Sequence, residues 1–590
     1  MRSSSNTGIV RQWIIKPPAS SAAEIARALK VSDLLAQVLV NRGLGDAAVA
    51  AGFLRPRLAD LVRPELMPGA DAAVFRIKRA LEGGEKITVY GDYDVDGITG
   101  TAILWRLLAM LGADVEYYIP HRIEEGYGLN AEAVAGLAKG GTKLLVTVDC
   151  GINAVDVSLL AGRLGMDLVI TDHHEPSAEL PRAAAIVHPA LREDYPNKDS
   201  SGSMVAFKLA WALANEFRTG RRLEGDLRQF MLDAATLAAV GTVADVVDIR
   251  GENRSITSYG LRALPNCRLA GIEALVESAR LDGEFNTGHV AFRLAPLLNA
   301  AGRMGHARLA VELLTTMDRA HAGKISEYLQ DQNVRRRASE RKILEQAREV
   351  IAARKLDRPG VRGLVLAGRG WHAGVVGIVA SRIVEEFCRP AVLICLPAEG
   401  SDPGVLAQGS ARSIEDFDVL KAIGSCCRHL AAFGGHKMAA GLRLRPENVE
   451  PFAADFEHYA CRHLEGSDIT SKLHIDASVS LGSLESPLVD ELRMLEPFGP
   501  GNPEPVLATE AVRLASAPRK VGASGSHLQL AVTDGRTSRR CIGFRMGHLE
   551  KKLLDGDSFD VAYRPQINTY GGGSCVELVL ADVRFDGRGP

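Results

Sequence analysis

Between residues 86 and 190 short apolar runs alternate with longer stretches of helical periodicity. The runs are KITVY (86–90), DVEYYIP (114–120), KLLVTVD (143–149), DLVITD (167–172) and AAIVHP (184–189). The segments between them, from Gly100, Asn130 and Asn153, space their apolar residues three and four apart, and both asparagines stand where N-caps are expected. Strand, helix, strand repeated this way predicts a mostly parallel sheet covered by helices. Residues 200–315 read as mainly helical. A polar, arginine-rich stretch at 319–354, without Gly or Pro after Gly323, reads as a solvated helix connecting two domains.

An α/β pattern returns at 360–445 with GLVLAG (363–368), VVGIVASRIVEEF (375–387) and PAVLICL (390–396). From Ile469 onward the chain reads as strands: PVLATEAVRLAS, HLQLAV, RRCIGF, SFDVAYRP and CVELVLADVRF, with the hairpin signal TDGR at 533–536. So many strands in about 120 residues predict a small barrel or sandwich. The expected organisation is a multi-domain α/β chain: an N-terminal segment (1–70), a parallel-sheet domain (71–315), a connecting helix (316–355), a smaller α/β domain (356–468) and a β-barrel (469–590). At 590 residues the length agrees, allowing about three or four domains of roughly 150 residues.

Composition narrows the class. With 46% hydrophobic and 24% charged residues there is no disordered or fibrous bias. No apolar run nears the ~18 residues of a bilayer span, and MRSSSNTGIV lacks a secretory apolar core, so a cytoplasmic protein is expected. Nine cysteines without a CxxC pair argue against a disulfide framework or a zinc ribbon. A formal net charge of −2 excludes general electrostatic attraction to nucleic acid, leaving local basic tracks: RTGRR (218–222), RRRASERK (335–342) and RTSRR (536–540). Each is more often just a solvated face.

The acidic residues fall at strand ends. GDYDVDG (91–97) suggests an EF-hand, but the loop's twelfth position, counted from Asp92, is Ile103 rather than glutamate, and a strand precedes it. Calcium is therefore a poor fit. The first strand runs into Asp92, Asp94 and Asp96, the third ends on Asp149, and the fourth ends on Asp172, His173 and His174. Ligands of open parallel sheets bind outside the carboxyl ends of the strands, so one crevice would receive these groups. Asp245, in the small and apolar GTVADVV (241–247), is a fourth site where an unpaired carboxylate is costly. A single strand-end Asp is best read as a turn cap; four sites on one edge with adjacent imidazoles are not. Clustered anions need cations, and carboxylate with imidazole suits Mn²⁺, then Mg²⁺, better than Zn²⁺. The ligands exceed one ion's needs, so two ions about 3.5 to 4 Å apart and phosphoester hydrolysis are expected.

GDYDVDGITG, VDCG, TDHH and VADVV, in this order, resemble the four motifs of the DHH phosphoesterase superfamily. LNAAGRMG (298–305), GRGWHAGVVGIVASR (368–382), GSARS (409–413), FGGHKMAAGL (433–442) and PFGPGNPEP (497–505) resemble its RecJ family of bacterial single-strand-specific 5′→3′ DNA exonucleases. The resemblance covers nearly all of the chain past residue 70. It implies a DHH domain, a connecting helix, a DHHA1 domain and an OB-fold. It implies Asp94, Asp96, Asp149, His173 and Asp245 as metal ligands, with Asp149 bridging two Mn²⁺ or Mg²⁺ ions and Asp92 as a further candidate. His174 is implied as a ligand or as a contact to the scissile phosphate. Ser410 and Arg412 would cap a 5′ phosphate, Gly434, Gly435 and His436 would face the metals, and Arg122 and Arg303 would contact substrate. Either arginine is also readable as a surface ion pair.

One departure is Leu297, where the family commonly has arginine; Arg293 is a possible replacement. In the barrel, Phe498, Phe544, Tyr563 and Tyr570 are stacking candidates for single strands, although core positions suit most aromatics. Gly97 is expected to turn the first strand into its helix. The implied activity is a two-metal, single-strand-specific 5′→3′ exonuclease in DNA repair and recombination, with single-strand-binding protein and a RecQ-type helicase as candidate partners. The rivals are a DHH phosphodiesterase on short RNA or cyclic dinucleotides, disfavoured by the third domain, and a non-catalytic single-strand-binding scaffold, which predicts lost ligands.

Overall fold

The computed structural model describes residues 11–122, 125–218, 220, 223–402, 404–466, 471–568 and 574–585. Two compact units form, one from Met1–Pro56 with Thr470–Pro590 and one from Arg57–Ile469.

In the second unit the five predicted strands make one parallel sheet in the spatial order Val115–Tyr118, Ile87–Gly91, Leu144–Val148, Asp167–Thr171, Ala185–Val187. The central strands are apolar at nearly every position because helices cover both faces. After Ile87–Gly91 the chain steps outward to Val115–Tyr118 and then reverses direction, which puts the topological switch point between Ile87–Gly91 and Leu144–Val148. Helices Gly202–Glu216 and Gly225–Ala244 pack against helix Val95–Met110 in the main core.

Three local expectations change. The first helix begins at Val95 rather than near Gly100, because Asp94 is its N-cap and accepts from Asp96 N (3.0 Å) and Gly97 N (3.2 Å). Gly97 therefore lies inside the first helical turn, where a Cβ would come 2.6 Å from Asp92 O; close approach, not a change of direction, requires glycine there. Asn130 caps its helix through Ala133 N, but Asn153 caps nothing. It donates to Glu175 O (3.1 Å) and accepts from Ser177 N (2.8 Å), tying down the loop after His174.

The polar stretch forms one 35-residue helix, Arg319–Ala353, about 50 Å long at ~1.5 Å per residue. It is not wholly solvated: Arg336 is buried and pairs with buried Glu340 at 2.9 Å, and Glu340 also takes Arg382 at 2.6 Å. Beyond it a mixed five-stranded sheet has the order Leu430–Gly435, Ala439–Leu444, Ala407–Arg412, Ala391–Leu396, Leu364–Arg369.

In the other unit five strands, Leu507–Val521, His527–Thr533, Ser538–Gly543, Cys575–Phe585 and Phe559–Asn568, close into a barrel by pairing the last with the first. Strand Arg11–Ile15 pairs parallel with Ser471–Ile475, and Ile25, Leu35 and Leu39 join the barrel's core. The N-terminal segment therefore divides near Pro56; Leu61 and Met67 belong to the core of the parallel-sheet unit. Among the described residues no helix is long and apolar enough to cross a membrane.

Candidate active site

Three strand ends and one helix end deliver the acidic groups to the switch point. Asp92 and Asp149 directly follow Ile87–Gly91 and Leu144–Val148, His173 and His174 follow Asp167–Thr171, and Asp245 is the C-cap of Gly225–Ala244. His173 Nε2 lies 3.1 Å from Asp149 Oδ1, 3.6 Å from Asp245 Oδ2 and 3.9 Å from Asp96 Oδ2; His174 Nδ1 is 3.8 Å from Asp149 Oδ1. All seven residues expected to serve the site from this edge thus come together, Asp92 included.

The backbone holds some of these acids firmly. Asp96 accepts from Gly202 N (2.5 Å) and Ser203 N (2.9 Å), the first amides of helix Gly202–Glu216, whose positive dipole end favours a carboxylate. Gly202 also lies against Asp149, where a Cβ would be 2.6 Å from Oδ1. Asp172 is buried and orients the imidazole beside it. Its Oδ1 contacts His174 Nδ1 (2.8 Å) and accepts from His173 N (2.7 Å), while Oδ2 accepts from Ile152 N (2.9 Å). The Tyr127 hydroxyl lies 3.2 Å from His174 Nε2 and donates to Asp149 O (3.3 Å). The roles of Asp172, Tyr127 and the Gly202–Ser203 amides were not foreseen. The available signals were the aspartate of TDHH and Ser201, which caps helix Gly202–Glu216 by accepting from Met204 N.

Electrostatics separates the two kinds of acid. Burial, then repulsion from Asp96, Asp94, Asp245 and Asp92, pushes the Asp149 carboxyl well above its usual range. Burial and Asp94 do the same to Asp92, burial raises Asp96, and burial with Asp96 and Asp94 takes Asp245 up to about 9. Asp172 is buried too, yet its bonds to His174 and Ile152 overcome desolvation and hold it at about 2. Burial lowers the His173 pKa; for His174 the bond and charge of Asp172 outweigh burial and raise it.

Among the described residues, Asp92 Oδ1, Asp149 Oδ1, His173 Nε2 and Asp245 Oδ2 are buried without a hydrogen-bond partner. Leaving such atoms unpaired costs roughly 1–3 kcal/mol each, more for charged groups, unless something else binds them. Ligand atoms of Asp92, Asp94 and Asp149, of Asp96, His173 and Asp245, and of Asp149, His173 and His174 lie within 4.8 Å of one another in each group. Asp149 and His173 belong to two groups each. Cys150 Sγ turns away to Tyr90 O (3.9 Å), leaving carboxylate and imidazole donors that fit Mn²⁺ or Mg²⁺.

Basic side chains lie beside this cluster. His436 stacks at 6.2 Å from His174, at the turn of the exposed hairpin Leu430–Gly435/Ala439–Leu444 that carries Gly434 and Gly435. Arg412 donates to Ser410 Oγ (3.0 Å) and Ala411 O (2.8 Å), Arg303 donates to Gly374 O (3.0 Å), and Arg122 covers the Tyr93 ring at 4.7 Å. Among the described residues, neither arginine expected to contact substrate is a solvent-facing ion pair. Burial and the fields of Arg122, Arg336 and Arg412 lower the Arg303 pKa, and burial with Arg122 lowers that of Arg412. Guanidiniums crowded this way favour an anion between them.

Other candidates fall elsewhere. Leu297 is in the core, and exposed Arg293 donates to Ala279 O at the end of helix Ala270–Ser278. Tyr563 is buried, its hydroxyl 2.7 Å from Thr509 Oγ1, so it is not a stacking platform. Phe498 packs against the barrel core, whereas Phe544 is exposed beside His527. Tyr570 and parts of the 218–222 track lie outside the described residues. Of the 536–540 track, Arg539 is tied to Leu484 O.

The chain matches the DHH family, N-terminal domain, over residues 86–242, the DHHA1 domain over 360–460 and the RecJ OB domain over 475–582. It is 36% identical to the single-stranded-DNA-specific exonuclease RecJ of Bacillus subtilis (strain 168), over 98% of this chain and 72% of that protein. With the protein of that description from Thermus thermophilus the identity is 37%, over 96% of this chain and 78% of the relative. The crystal structure of Thermus thermophilus RecJ in complex with Mn²⁺ superposes with a TM-score of 0.82 at 32% identity, covering 98% of this chain and 80% of that one.

Proposed function

The chain belongs to the RecJ family of single-stranded-DNA-specific exonucleases, and on that premise we propose that it removes nucleotides from the 5′ end of single-stranded DNA at the strand-end cluster. The observation that carries this reading is a set of buried, unpartnered ligand atoms facing an arginine and histidine wall across one cleft. Asp94, Asp96, Asp149, His173 and Asp245, with Asp92, would hold Mn²⁺ or Mg²⁺ as two ions, Asp149 serving both. Bound there, such ions supply an activated water and charge stabilisation at phosphorus.

The chain's own groups do the rest. Ser410 and Arg412 bind the terminal 5′ phosphate, and Arg303 and Arg122 hold the next phosphate. His174, kept toward its protonated form by Asp172, contacts the scissile phosphate as the bond to the 3′ oxygen of the terminal nucleotide breaks. One mononucleotide leaves and a new 5′ phosphate takes its place, which supports processive movement. Phe544 offers the barrel a stacking surface for the strand. Action in cytoplasmic DNA repair and recombination, beside single-strand-binding protein and a RecQ-type helicase, completes the reading. A non-catalytic scaffold is disfavoured because every ligand candidate is in place.

The test uses single-stranded DNA labelled at either end, Mn²⁺, and wild type beside Asp149→Ala. Loss of the 5′ label as mononucleotide, abolished in the variant, is expected. Degradation from the 3′ end, or undiminished activity of the variant, overturns the proposal.

A further inference from the structure

Asp245 is held differently from Asp94 and Asp96. Asp94 and Asp96 each accept two backbone N–H groups, which fix their carboxylates. Asp245 Oδ2 is buried and accepts none, so the helix end that carries it must aim it.

That helix end is strained. Val246, the next residue, has φ 64°, the left-handed conformation that closes many helices and that glycine adopts freely. A β-branched residue there is an outlier. Asp149 also has positive φ, 62°, but aspartate tolerates it. Packing does not repay Val246, whose side chain is 66% exposed. Uncompensated strain next to a functional group points to a role for the strain itself.

In the gathered arrangement Asp245 Oδ2 lies 3.6 Å from His173 Nε2 and the residue after Asp245 is in the left-handed turn. Valine disfavours that turn against every alternative in which the helix end relaxes and Asp245 swings away. Binding competence is reduced by the fraction of molecules that relax.

We propose that Val246 is a positioning residue that makes Asp245 an exchangeable ligand: its strained turn weakens the hold of the cluster on a divalent cation. The inference rests on Asp245 being a metal ligand, as proposed above.

The experiment compares wild type with V246G, V246N, V246A and D245N, measuring thermal unfolding of the full chain against Mn²⁺ concentration. Glycine and asparagine both accept the left-handed turn, so the Mn²⁺ concentration at which stabilisation sets in, where it begins to grow with the logarithm of concentration, should fall about three- to tenfold in V246G and V246N. V246A removes most of the side chain but keeps the backbone cost, and should stay nearer wild type. An unchanged or raised onset concentration in both V246G and V246N overturns the proposal, as does V246A shifting as far as V246G. D245N separates the two ideas. If D245N leaves Mn²⁺ stabilisation as in wild type, Asp245 is not a ligand; if it abolishes stabilisation while V246G and V246N do nothing, only the strain proposal fails.

Discussion

Helix Gly202–Glu216 supports two buried ionic clusters built in opposite ways. Its first turn gives two amides to Asp96, beside the unpartnered atoms of Asp92, Asp149, His173 and Asp245. Further along the same helix, fully buried Lys208 donates to Val62 O and Glu252 Oε1, and Glu252 also accepts from Val62 N (2.6 Å) and the Tyr195 hydroxyl (3.4 Å). The Lys208 cluster is closed: the chain answers each charge. The strand-end cluster has more acceptors than donors. Burial and charge alone therefore do not distinguish a structural ion pair from a functional site; the valence left over does.

The largest effect should come from opening the strand-end cluster at the residue its groups share. Asp149→Ala should lower kcat on single-stranded DNA by about a thousandfold or more, the scale of removing one member of a cooperating unit. It should also erase Mn²⁺-dependent thermal stabilisation. The closed cluster should respond in the other currency. Lys208→Ala strands a buried carboxylate and should cost about 3–5 kcal/mol in urea unfolding, while the Mn²⁺ half-saturation of the folded protein stays as in wild type. A Lys208 variant of normal stability, or one with altered metal dependence, would erase the contrast.

Asp172→Asn sharpens it, because Asp172 sits beside the open cluster but is itself satisfied. Losing the charge that orients His174 should reduce activity about 10- to 100-fold, as for groups behind metal ligands, without abolishing Mn²⁺ stabilisation.

The smallest effect is on pH dependence. The folded-state pKa values of Asp92, Asp96, Asp149 and Asp245 are raised, so at these four groups the metal-free folded chain binds more protons than the unfolded one above about pH 4. Their contribution to metal-free stability should then fall with rising pH from about 4 toward 9, the value reached by Asp245. Cations displace those protons, so the gain in Tm from Mn²⁺ should grow across the same window. A gain that shrinks with pH would contradict the account.

Periodicity and strand-end chemistry made the sheet, the long helix, the barrel strands and the gathering of acids and imidazoles at one sheet edge legible. The closed barrel's debt to residues 11–54 was not, because strand Arg11–Ile15 finds its partner at Ser471–Ile475, far beyond any local pattern. Single-residue roles were the least legible. Asp94 is both cap and ligand candidate, Asn153 looks like a cap but braces a loop, and Tyr563 looks like a stacking surface but fills the core. Arg336, read as part of a solvated track, is buried because Glu340 lies one turn away. For Asn153 and Tyr563 a partner distant in sequence decided between two readings that the local sequence allowed equally.

The most direct test of the leftover-valence account is calorimetric titration of chelator-treated protein with Mn²⁺. Wild type should take up two ions per chain and release protons as it does so, and Asp149→Asn should lose both. Binding of no ion by wild type, or unchanged stoichiometry in the variant, would contradict it.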